Sequence, residues 1–328
     1  MDVFKPMKAT SIMRCAILLL VGMASLTASE SFAQYYINQT ELAEIVGPCS
    51  AELEKLPNIE YRDQVLYDRR DNSVLARNTF YKIIGDGDVD VGYERAKVVG
   101  LLNRTLMSRA QIGDTLVVPS EYVSDFCAYS PFPLFYPGAD SFDKLFIIEK
   151  SIQGWAAYEH GRLARWGIVN TGAKESPTPN GRFNFNWRTE YRVSSLSPPG
   201  ERWEMYWVFN FFDERGIHIH QYPMPTGGPT SHGCVRLVEE DAEWIYRWAD
   251  PWDTTLGDGF GSSQGKIKAP GTIVLVVGQD PPSDPVPFFR PDSKPVLVKV
   301  ELPLDPYSIP AGSSQQRFFD QRRASGSD

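Results

Sequence analysis

The hydrophobic and polar residues between positions 141 and 279 form short apolar runs, each closed by turn residues. In "KLFIIEKSIQGWAAYEHGRLARWGIVNTG" the apolar runs are interrupted at Gly154, at His160 and Gly161, and at Gly172, so the segment predicts three strands joined by turns. The turn-rich "SPTPNGRFNF" then leads into a further strand. "EMYWVFNFF" and "IHIHQ", joined by "DERG", predict a hairpin, and "GTIVLVVG" predicts a buried terminal strand.

One segment of this region has helical periodicity instead. In "VEEDAEWIYRWAD" the acidic residues come first, while Trp244, Ile245 and Trp248 are spaced along one face. The pattern therefore predicts a mainly β domain over residues 141–279, with one helix packed against it.

Residues 34–140 contain both helical and strand patterns, which predict a smaller mixed α/β region. "ELAEIVGPCSAELEKL" predicts a short helix interrupted at Gly47 and Pro48, and "VGYERAKVVGLLNRTLM" has apolar positions at helical spacing. "IGDTLVVPSEY" predicts a turn and a short strand that ends at Pro119. "LLNR" followed by "IGDTLVVP" is loosely similar to the second half of a LysM wall-binding module. The role of this region is left open, with wall binding as one expectation.

The last part of the chain, residues 280–328, is a Pro-rich tail. It contains one further candidate strand at "PVLVKVEL". Its end, "SSQQRFFDQRRASGSD", is polar, and this composition predicts disorder.

The first 33 residues have the pattern of a secretory signal peptide. Lys5, Lys8 and Arg14 precede the apolar "CAILLLVGMASLTA", and the small residues Ser31 and Ala33 lie at the −3 and −1 positions of a cleavage site. An uncleaved N-terminal anchor is the alternative. The signal predicts an exported protein of the periplasm or cell wall that is soluble after cleavage.

Length and net charge bear on the number of domains and on the kind of partner. A chain of 328 residues suggests about two domains. Its net charge of −8 argues against nucleic acid as a partner, because no basic field is available to neutralise phosphates.

Export changes the cysteine count. Cleavage removes Cys15 and leaves Cys49, Cys127 and Cys234, an odd number in an oxidising compartment. The simplest pairing is Cys49 with Cys127, which leaves Cys234 as a free thiol. The alternative is that Cys49 and Cys127 are merely small buried residues.

Three of the four histidines and one cysteine are crowded into "GIHIHQYPMPTGGPTSHGCVRL", residues 216–237. His218 and His220 are two apart, so on a strand both side chains point to the same face. The Pro- and Gly-rich segment that follows is expected to form a loop that brings His232 and Cys234 back towards that strand.

This constellation has three interpretations. The histidines can be structural residues beside a buried thiol, or the four side chains can form a zinc site of the pattern H-x-H…H-x-C. The third interpretation is a Cys–His nucleophile, in which an imidazole takes the proton of Cys234. Gly233 would allow a turn whose N–H groups stabilise an oxyanion, and Ser231 and His232 are candidate additional donors. Arg236 either binds a substrate carboxylate or braces the loop.

The residues around Cys234 resemble a known catalytic signature. "SHGCVRL", preceded by a strand histidine and a Pro/Gly loop, resembles the signature of the L,D-transpeptidase (YkuD-type) catalytic domain family. "TPNGRF" is similar to the TPxGxF segment of that family. The resemblance covers about residues 141–279 and implies a β-sandwich with the cysteine and histidine in a cleft.

The resemblance also implies residue roles. Cys234 falls on the family's nucleophile, and His220 is chosen as its proton acceptor because "HQYPMP" fits the family pattern before "SHGC". His218 is the alternative, because "GIH" also resembles the family. The loop segment "PTGGPT" departs from the pattern by one additional residue.

The implied reaction fits an exported protein. Cys234 would attack a peptidoglycan stem tetrapeptide at its third residue, release D-Ala, and pass the acyl group to an amine, which gives a 3–3 crosslink. Water as acceptor would make the protein a carboxypeptidase, and a lipoprotein lysine would make it an anchoring enzyme. No metal or organic cofactor is required. Outside the enzyme class, an idle wall-binding factor and a zinc-binding module are the alternatives.

Overall fold

A computed structural model describes residues 38–224, 228–255, 267–281, 288 and 295–326. The predicted signal peptide lies outside the described residues, as do positions 225–227 of the Pro/Gly loop. No helix of the described part of the chain combines the length and hydropathy that a membrane span needs.

A five-stranded sheet forms the centre of the fold. Its strand order is β5-β4-β3-β13-β6, and β13 pairs in parallel with β3 and antiparallel with β6. The three consecutive strands predicted between residues 144 and 172 are present. The members are β3 (Leu145–Glu149), β4 (Gly154–Glu159), β5 (Arg162–Ile168), β6 (Gly181–Asn184) and β13 (Ile273–Val277).

A four-stranded sheet of order β10-β9-β8-β7 carries the His- and Cys-rich segment. Its short last strand, β10, runs parallel to β9, with Val235 opposite Ile219 and Arg236 opposite His220. The predicted hairpin is formed by β8 and β9. The members are β7 (Arg188–Val193), β8 (Glu204–Phe212), β9 (Ile217–Gln221) and β10 (Val235–Leu237).

The two sheets share one hydrophobic core and so form the expected sandwich. That core combines Phe146 and Val274 of the larger sheet with Phe209 and Ile219 of the smaller one. The predicted helix, α4 (Glu239–Trp248), buries Ile245 in the same cluster. Two short strands, β11 (Asp253–Thr254) and β12 (Ile267–Ala269), pair with each other after α4.

The larger sheet is buried on both faces. All five residues of β3 are buried, which explains why "LFII" is a continuous apolar run and does not alternate. Its second face packs in a cluster that includes Ile147 and Trp166 of the sheet and Leu102 and Phe126 of the N-terminal region. A single core therefore extends across the boundary between residues 140 and 141.

The N-terminal region has the mixed composition expected. It begins with α1 (Gln39–Ala43) and continues as strand, helix, helix, strand, with the two strands paired antiparallel. Asn72 and Asp88 cap the N-termini of the two long helices through their side chains. The four elements are β1 (Tyr61–Val65), α2 (Ser73–Ile84), α3 (Val89–Leu102) and β2 (Thr115–Pro119).

Cys49 and Cys127 form a disulfide, with their Cα atoms 5.5 Å apart, and Cys234 is a free cysteine. The pairing predicted from the cysteine count is therefore present. The bridge lies beside the edge of the larger sheet, where the N–H of Cys49 donates to the carbonyl of Ala164.

The C-terminal tail differs from its prediction in two respects. "PVLVKVEL" forms no regular strand. The N–H of Val298 donates to the carbonyl of Phe288, and the N–H of Val300 donates to the carbonyl of Pro131. Pro131 has no N–H with which to donate a second hydrogen bond back to this segment. The polar end predicted as disordered is a helix, α5 (Ser314–Ser325). Tertiary contacts hold this helix: Arg182 of β6, 3% exposed, forms a bidentate ion pair with Asp320.

Candidate active site

A cleft of about 260 Å³ opens beside the four-stranded sheet. Its walls include His220, Cys234 and Arg236 together with Trp203 and His232. The sequence-predicted Pro/Gly loop thus returns the "SHGC" segment to the strand that carries the histidines, as expected.

The "SHGC" turn has a backbone conformation that favours glycine. Gly233 has a φ of +111°, although a Cβ atom there would meet nothing closer than 3.6 Å. The hydroxyl of Ser231 accepts from the N–H of Gly233 and donates to the carbonyl of Cys234. Ser231 therefore braces the turn from inside.

Thr178 of "TPNGRF" fastens this turn to the rest of the domain. Its hydroxyl donates to the carbonyl of Gly233 (2.8 Å) and accepts from the N–H of Gly172 (3.0 Å). Thr178 is fully buried. The two motifs that carry the family resemblance, remote in sequence, are thus joined at one hydroxyl.

Cys234 comes directly before β10 and is only partly exposed. Burial raises the pKa of its thiol, while a hydrogen bond from the backbone N–H of His218 and the charges of Arg236 and Arg192 act in the opposite direction. Burial is the largest of these effects, so the resting side chain is a thiol at neutral pH.

His220 holds its ring proton on Nδ1. Nδ1 lies 2.9 Å from the carbonyl oxygen of Gln221, which can only accept, so this nitrogen is the donor. Burial lowers the pKa of His220 to about 4, and the neighbouring Arg236 acts in the same direction. A neutral ring protonated on Nδ1 carries its lone pair on Nε2.

His218 has the opposite tautomer. The amide nitrogen of Asn210 lies 3.1 Å from the carbonyl of Ile217 and 3.0 Å from Nδ1 of His218. Because the carbonyl fixes which end of the amide faces this way, Nδ1 of His218 accepts and its proton lies on Nε2. Burial lowers the pKa of His218 to about 3, and its ring packs edge-on against Trp187.

Arg236 braces the loop and lines the cleft at once. Its Nη1 donates to the hydroxyl of Thr230 (3.2 Å), and its guanidinium lies 4.8 Å from the ring centroid of Tyr222. Its backbone pairs in both directions with Asn170. The bracing role considered from the sequence is therefore present, and the position in the cleft wall is compatible with the substrate role.

His232 is exposed and points away from the turn. Its ring stacks on Trp203, with centroids 5.3 Å apart. Trp203 comes from the segment between β7 and β8, so this stack connects the two walls at the mouth of the cleft.

The histidines and the cysteine of this segment, as far as the structure describes it, do not form the zinc site considered from the sequence. Within the described ranges, no three His, Cys, Asp or Glu side chains lie close enough together to hold a metal ion. His218 and His220 are each engaged at Nδ1, and His232 is turned towards Trp203.

Sequence reasoning missed three residues that shape the site. Thr178 is the first residue of "TPNGRF", and the resemblance of that segment to the family was the available signal. Asn210 and Trp203 gave none, because an asparagine within an apolar strand and a tryptophan in a turn have no local pattern that predicts such contacts.

Comparison with known proteins gives a family match for part of the chain. Residues 143–276 match the family model of YkuD, the L,D-transpeptidase catalytic domain. No curated protein matches the chain.

Solved structures of L,D-transpeptidases also match. One from Mycobacterium smegmatis is 17% identical, with a TM-score of 0.32, and covers 41% of this chain and 58% of its own. One from Stackebrandtia nassauensis is 19% identical, with a TM-score of 0.32, and covers 43% and 58%. The chain thus spans less than two thirds of the length of these structures. Residues 143–276, less than half of the chain, are thus similar to the YkuD family, the L,D-transpeptidase catalytic domain.

Proposed function

We propose that this protein is a cysteine acyltransferase that acts on peptidoglycan stem peptides, with Cys234 as nucleophile and His220 as its base. One observation carries the proposal: His220 shares the cleft with Cys234 and holds its lone pair on Nε2. His218 does not fit the role of base, because its Nδ1 accepts from Asn210 and its Nε2 carries the proton.

The two groups start as a neutral pair. The raised pKa of Cys234 and the lowered pKa of His220 keep thiol and imidazole uncharged at neutral pH. Proton transfer therefore accompanies attack, and His220 acts as a general base in that step.

The reaction balances with these two residues. The Cys234 sulfur bonds to the carbonyl carbon of the third stem residue, a diamino acid, while His220 Nε2 takes the thiol proton. The carbon–nitrogen bond to the terminal D-Ala then breaks, and the imidazolium returns the proton to the leaving amine. An acceptor amine next attacks the thioester, loses its proton through His220, and restores the thiol.

The developing oxyanion needs donors beside Cys234. The N–H of Gly233 is engaged by Ser231, so we assign this contact to the backbone N–H groups of His232 and Cys234. Arg236 is assigned to a substrate carboxylate at the cleft wall. Ser231 and Gly233 shape the turn and do not take part in bond changes.

The acceptor defines the product. An amine of a second stem gives a 3–3 crosslink, water gives an L,D-carboxypeptidase, and a lipoprotein lysine gives protein anchoring. We take the first as the function. The predicted signal peptide supports the periplasm or cell wall as the proposed location of this reaction.

Intact-protein mass spectrometry tests the proposal. The purified protein is mixed with a stem tetrapeptide and, separately, with a carbapenem, alongside Cys234→Ala. We expect a covalent adduct on the native protein and none on the variant, and adding an amine acceptor should convert the peptide adduct into crosslinked product. A reduced, folded sample that forms no adduct with either compound would refute the proposal.

A matched pair of variants tests the choice of base. His220→Gln should slow acylation by about 10²–10⁴-fold, the usual contribution of a general base. His218→Gln should slow it much less. The reverse order would assign the proton transfer to His218.

A further inference from the structure

Arg192 of β7 is a second arginine close to the cleft, and the reaction proposed above gives it no role. Its guanidinium lies over the ring of Trp187, 5.0 Å from the centroid. Within the part of the chain that the structure describes, no carboxylate forms an ion pair with it. The side chain is half-buried. A guanidinium that rests on an aromatic ring and has no counter-ion can bind an anionic ligand with its N–H groups.

Strand register places Arg192 on the face of the sheet that forms the cleft. Arg192 lies opposite Met205 in the antiparallel pair of β7 and β8, and residues directly opposite each other in such a pair share a face. Met205 lines the cleft, and so does Ser194, two residues further along the chain from Arg192. The side chain of Arg192 therefore points to the cleft side of the sheet.

Arg236 lies at the opposite edge of the same sheet. The strand order β10-β9-β8-β7 makes β10 and β7 the two edges, and Arg236 lies opposite His220 in the pair of β10 and β9. Three strand spacings separate β10 from β7, roughly 14 Å. A fully extended peptide of about four residues has this length. A short peptide that crosses the strands can therefore reach both arginines.

The cleft has a positive character, although the chain as a whole carries a net charge of −8. Among the described residues that line it there is no Asp and no Glu. Burial raises the pKa of the Cys234 thiol, and the charges of Arg236 and Arg192 are among the effects that oppose this rise. Both arginines thus lie within electrostatic range of the sulfur, and anions bound to them would flank the reacting carbonyl.

We infer that Arg192 binds a second carboxylate of the substrate, so that the cleft selects peptides with an anionic group on each side of the carbonyl that Cys234 attacks. Arg236 at one edge of the sheet and Arg192 at the other each hold one of these groups. In a stem tetrapeptide the terminal D-Ala carries one carboxylate, and an acidic group of the acyl part supplies the other. The inference rests on the proposed function and adds a selection: a stem with either carboxylate amidated should bind more weakly.

The test measures binding separately from chemistry. Isothermal titration calorimetry gives the dissociation constants of full-length Cys234→Ala, with and without Arg192→Gln, for a stem tetrapeptide and for forms in which one carboxylate at a time is a primary amide. Arg192→Gln should weaken binding of the unmodified stem about ten-fold, a usual loss for a hydrogen bond to a charged group. For one of the monoamides it should cause no further loss, because the carboxylate that Arg192 holds is already absent.

Two control variants accompany this measurement. Arg192→Lys keeps the charge but not the planar fork of donors, and should retain part of the affinity. Arg202→Gln removes an arginine of the same hairpin that is 68% exposed and lies near Glu204, and should leave binding of every stem unchanged. An equal loss for all stems in Arg192→Gln, or an equal loss in Arg202→Gln, would overturn the inference.

Alkylation of Cys234 by iodoacetamide, which is uncharged, gives the second readout. If Arg192 binds substrate, Arg192→Gln should change alkylation of the otherwise native protein much less than it changes stem binding. Equal losses would mean that Arg192 acts through the thiol, and would refute the binding role. If stems bind with the expected carboxylate dependence but never acylate the native protein, the proposed function fails while the role of Arg192 stands.

Discussion

At the scale of single residues, the site depends on which nitrogen of each imidazole carries the proton. His218 and His220 share one face of β9, yet their Nδ1 atoms have opposite roles because one faces an amide N–H and the other a carbonyl. Burial keeps both rings neutral at neutral pH. The hydrogen-bond partner of Nδ1, more than the residue type, therefore distinguishes His220, the candidate base, from His218, whose Nε2 carries the proton.

Thr178 provides a residue-scale prediction. Thr178→Val keeps the shape but leaves the N–H of Gly172 and the carbonyl of Gly233 without their shared partner, at a cost of about 2 kcal/mol in the free energy of unfolding. Because the "SHGC" turn loosens, acylation of Cys234 should fall about ten-fold. Urea unfolding and the rate of adduct formation measure the two effects.

The control for this prediction is Thr178→Ser, which keeps the hydroxyl and loses only a methyl group. It should retain acylation near the native rate. If Thr178→Ser and Thr178→Val lose acylation equally, packing and not the hydroxyl holds the turn.

His220 provides a pH-dependence prediction. Its pKa is about 4 in the folded protein and about 6.5 in an unfolded chain, so the unfolded chain binds the proton first as the pH falls. Stability contributed by the neutral ring is therefore complete above about pH 6.5 and is lost towards pH 4, with a slope of up to about 1.4 kcal/mol per pH unit.

We expect His220→Gln to reduce the pH dependence of the free energy of unfolding between pH 6 and pH 4.5 by about that slope. Urea titrations across this range measure it. His160→Gln is the control, since the side chain of His160 is 67% exposed. Equal slopes in the native protein and in His220→Gln would contradict the burial argument.

At the scale of secondary-structure elements, local patterns predicted most of the sandwich. All five strands of the larger sheet, the β8–β9 hairpin and α4 follow from apolar runs and turn residues. The strands β7 and β10 of the smaller sheet were not predicted. Helix α5 was missed, because its residues are mostly polar and one pair, Arg182 with Asp320, ties it to a distant strand. Such a contact has no signal within the helix itself.

Asp320→Asn tests this account of α5. The variant leaves the guanidinium of Arg182, 3% exposed, without its carboxylate, and should lower the free energy of unfolding by about 2 kcal/mol. Hydrogen exchange should become faster along α5 but not along α4. Gln321→Ala, on the exposed side of α5, should change neither quantity, and unaltered exchange in Asp320→Asn would show that other contacts hold the helix.

At the scale of the whole molecule, the site is assembled from distant parts of the chain. The proposed nucleophile, its flanking turn and both candidate histidines were predicted from one stretch of sequence, because their chemistry is local. The tautomers could not, because that of His218 depends on the Asn210 amide and that of His220 on the direction of the Gln221 carbonyl, and only the folded chain fixes these contacts. Similarly, the composition of residues 34–140 does not reveal that they share a core with the larger sheet.

The disulfide provides a prediction at this scale. Cys49 and Cys127 are 78 residues apart, so loop-closure entropy assigns the bond about 4 kcal/mol of stability. Because one hydrophobic cluster joins Phe126 and Leu102 of the N-terminal region to Trp166 of the sheet, Cys49→Ala/Cys127→Ala should still unfold in one step. Its Cys234 should also react with a carbapenem at close to the native rate, since the cleft lies in the smaller sheet.

Guanidinium unfolding followed by tryptophan fluorescence and by far-UV circular dichroism measures both properties. Trp166 stacks on Phe126 with centroids 4.5 Å apart, so it contributes a signal from the shared core, beside tryptophans in the sandwich. Coincident transitions shifted to lower denaturant would support a single cooperative unit, with Cys234→Ala as the control that leaves the midpoint near its native value. Two separate transitions would instead mean that the disulfide, and not the shared core, couples the N-terminal region to the catalytic domain.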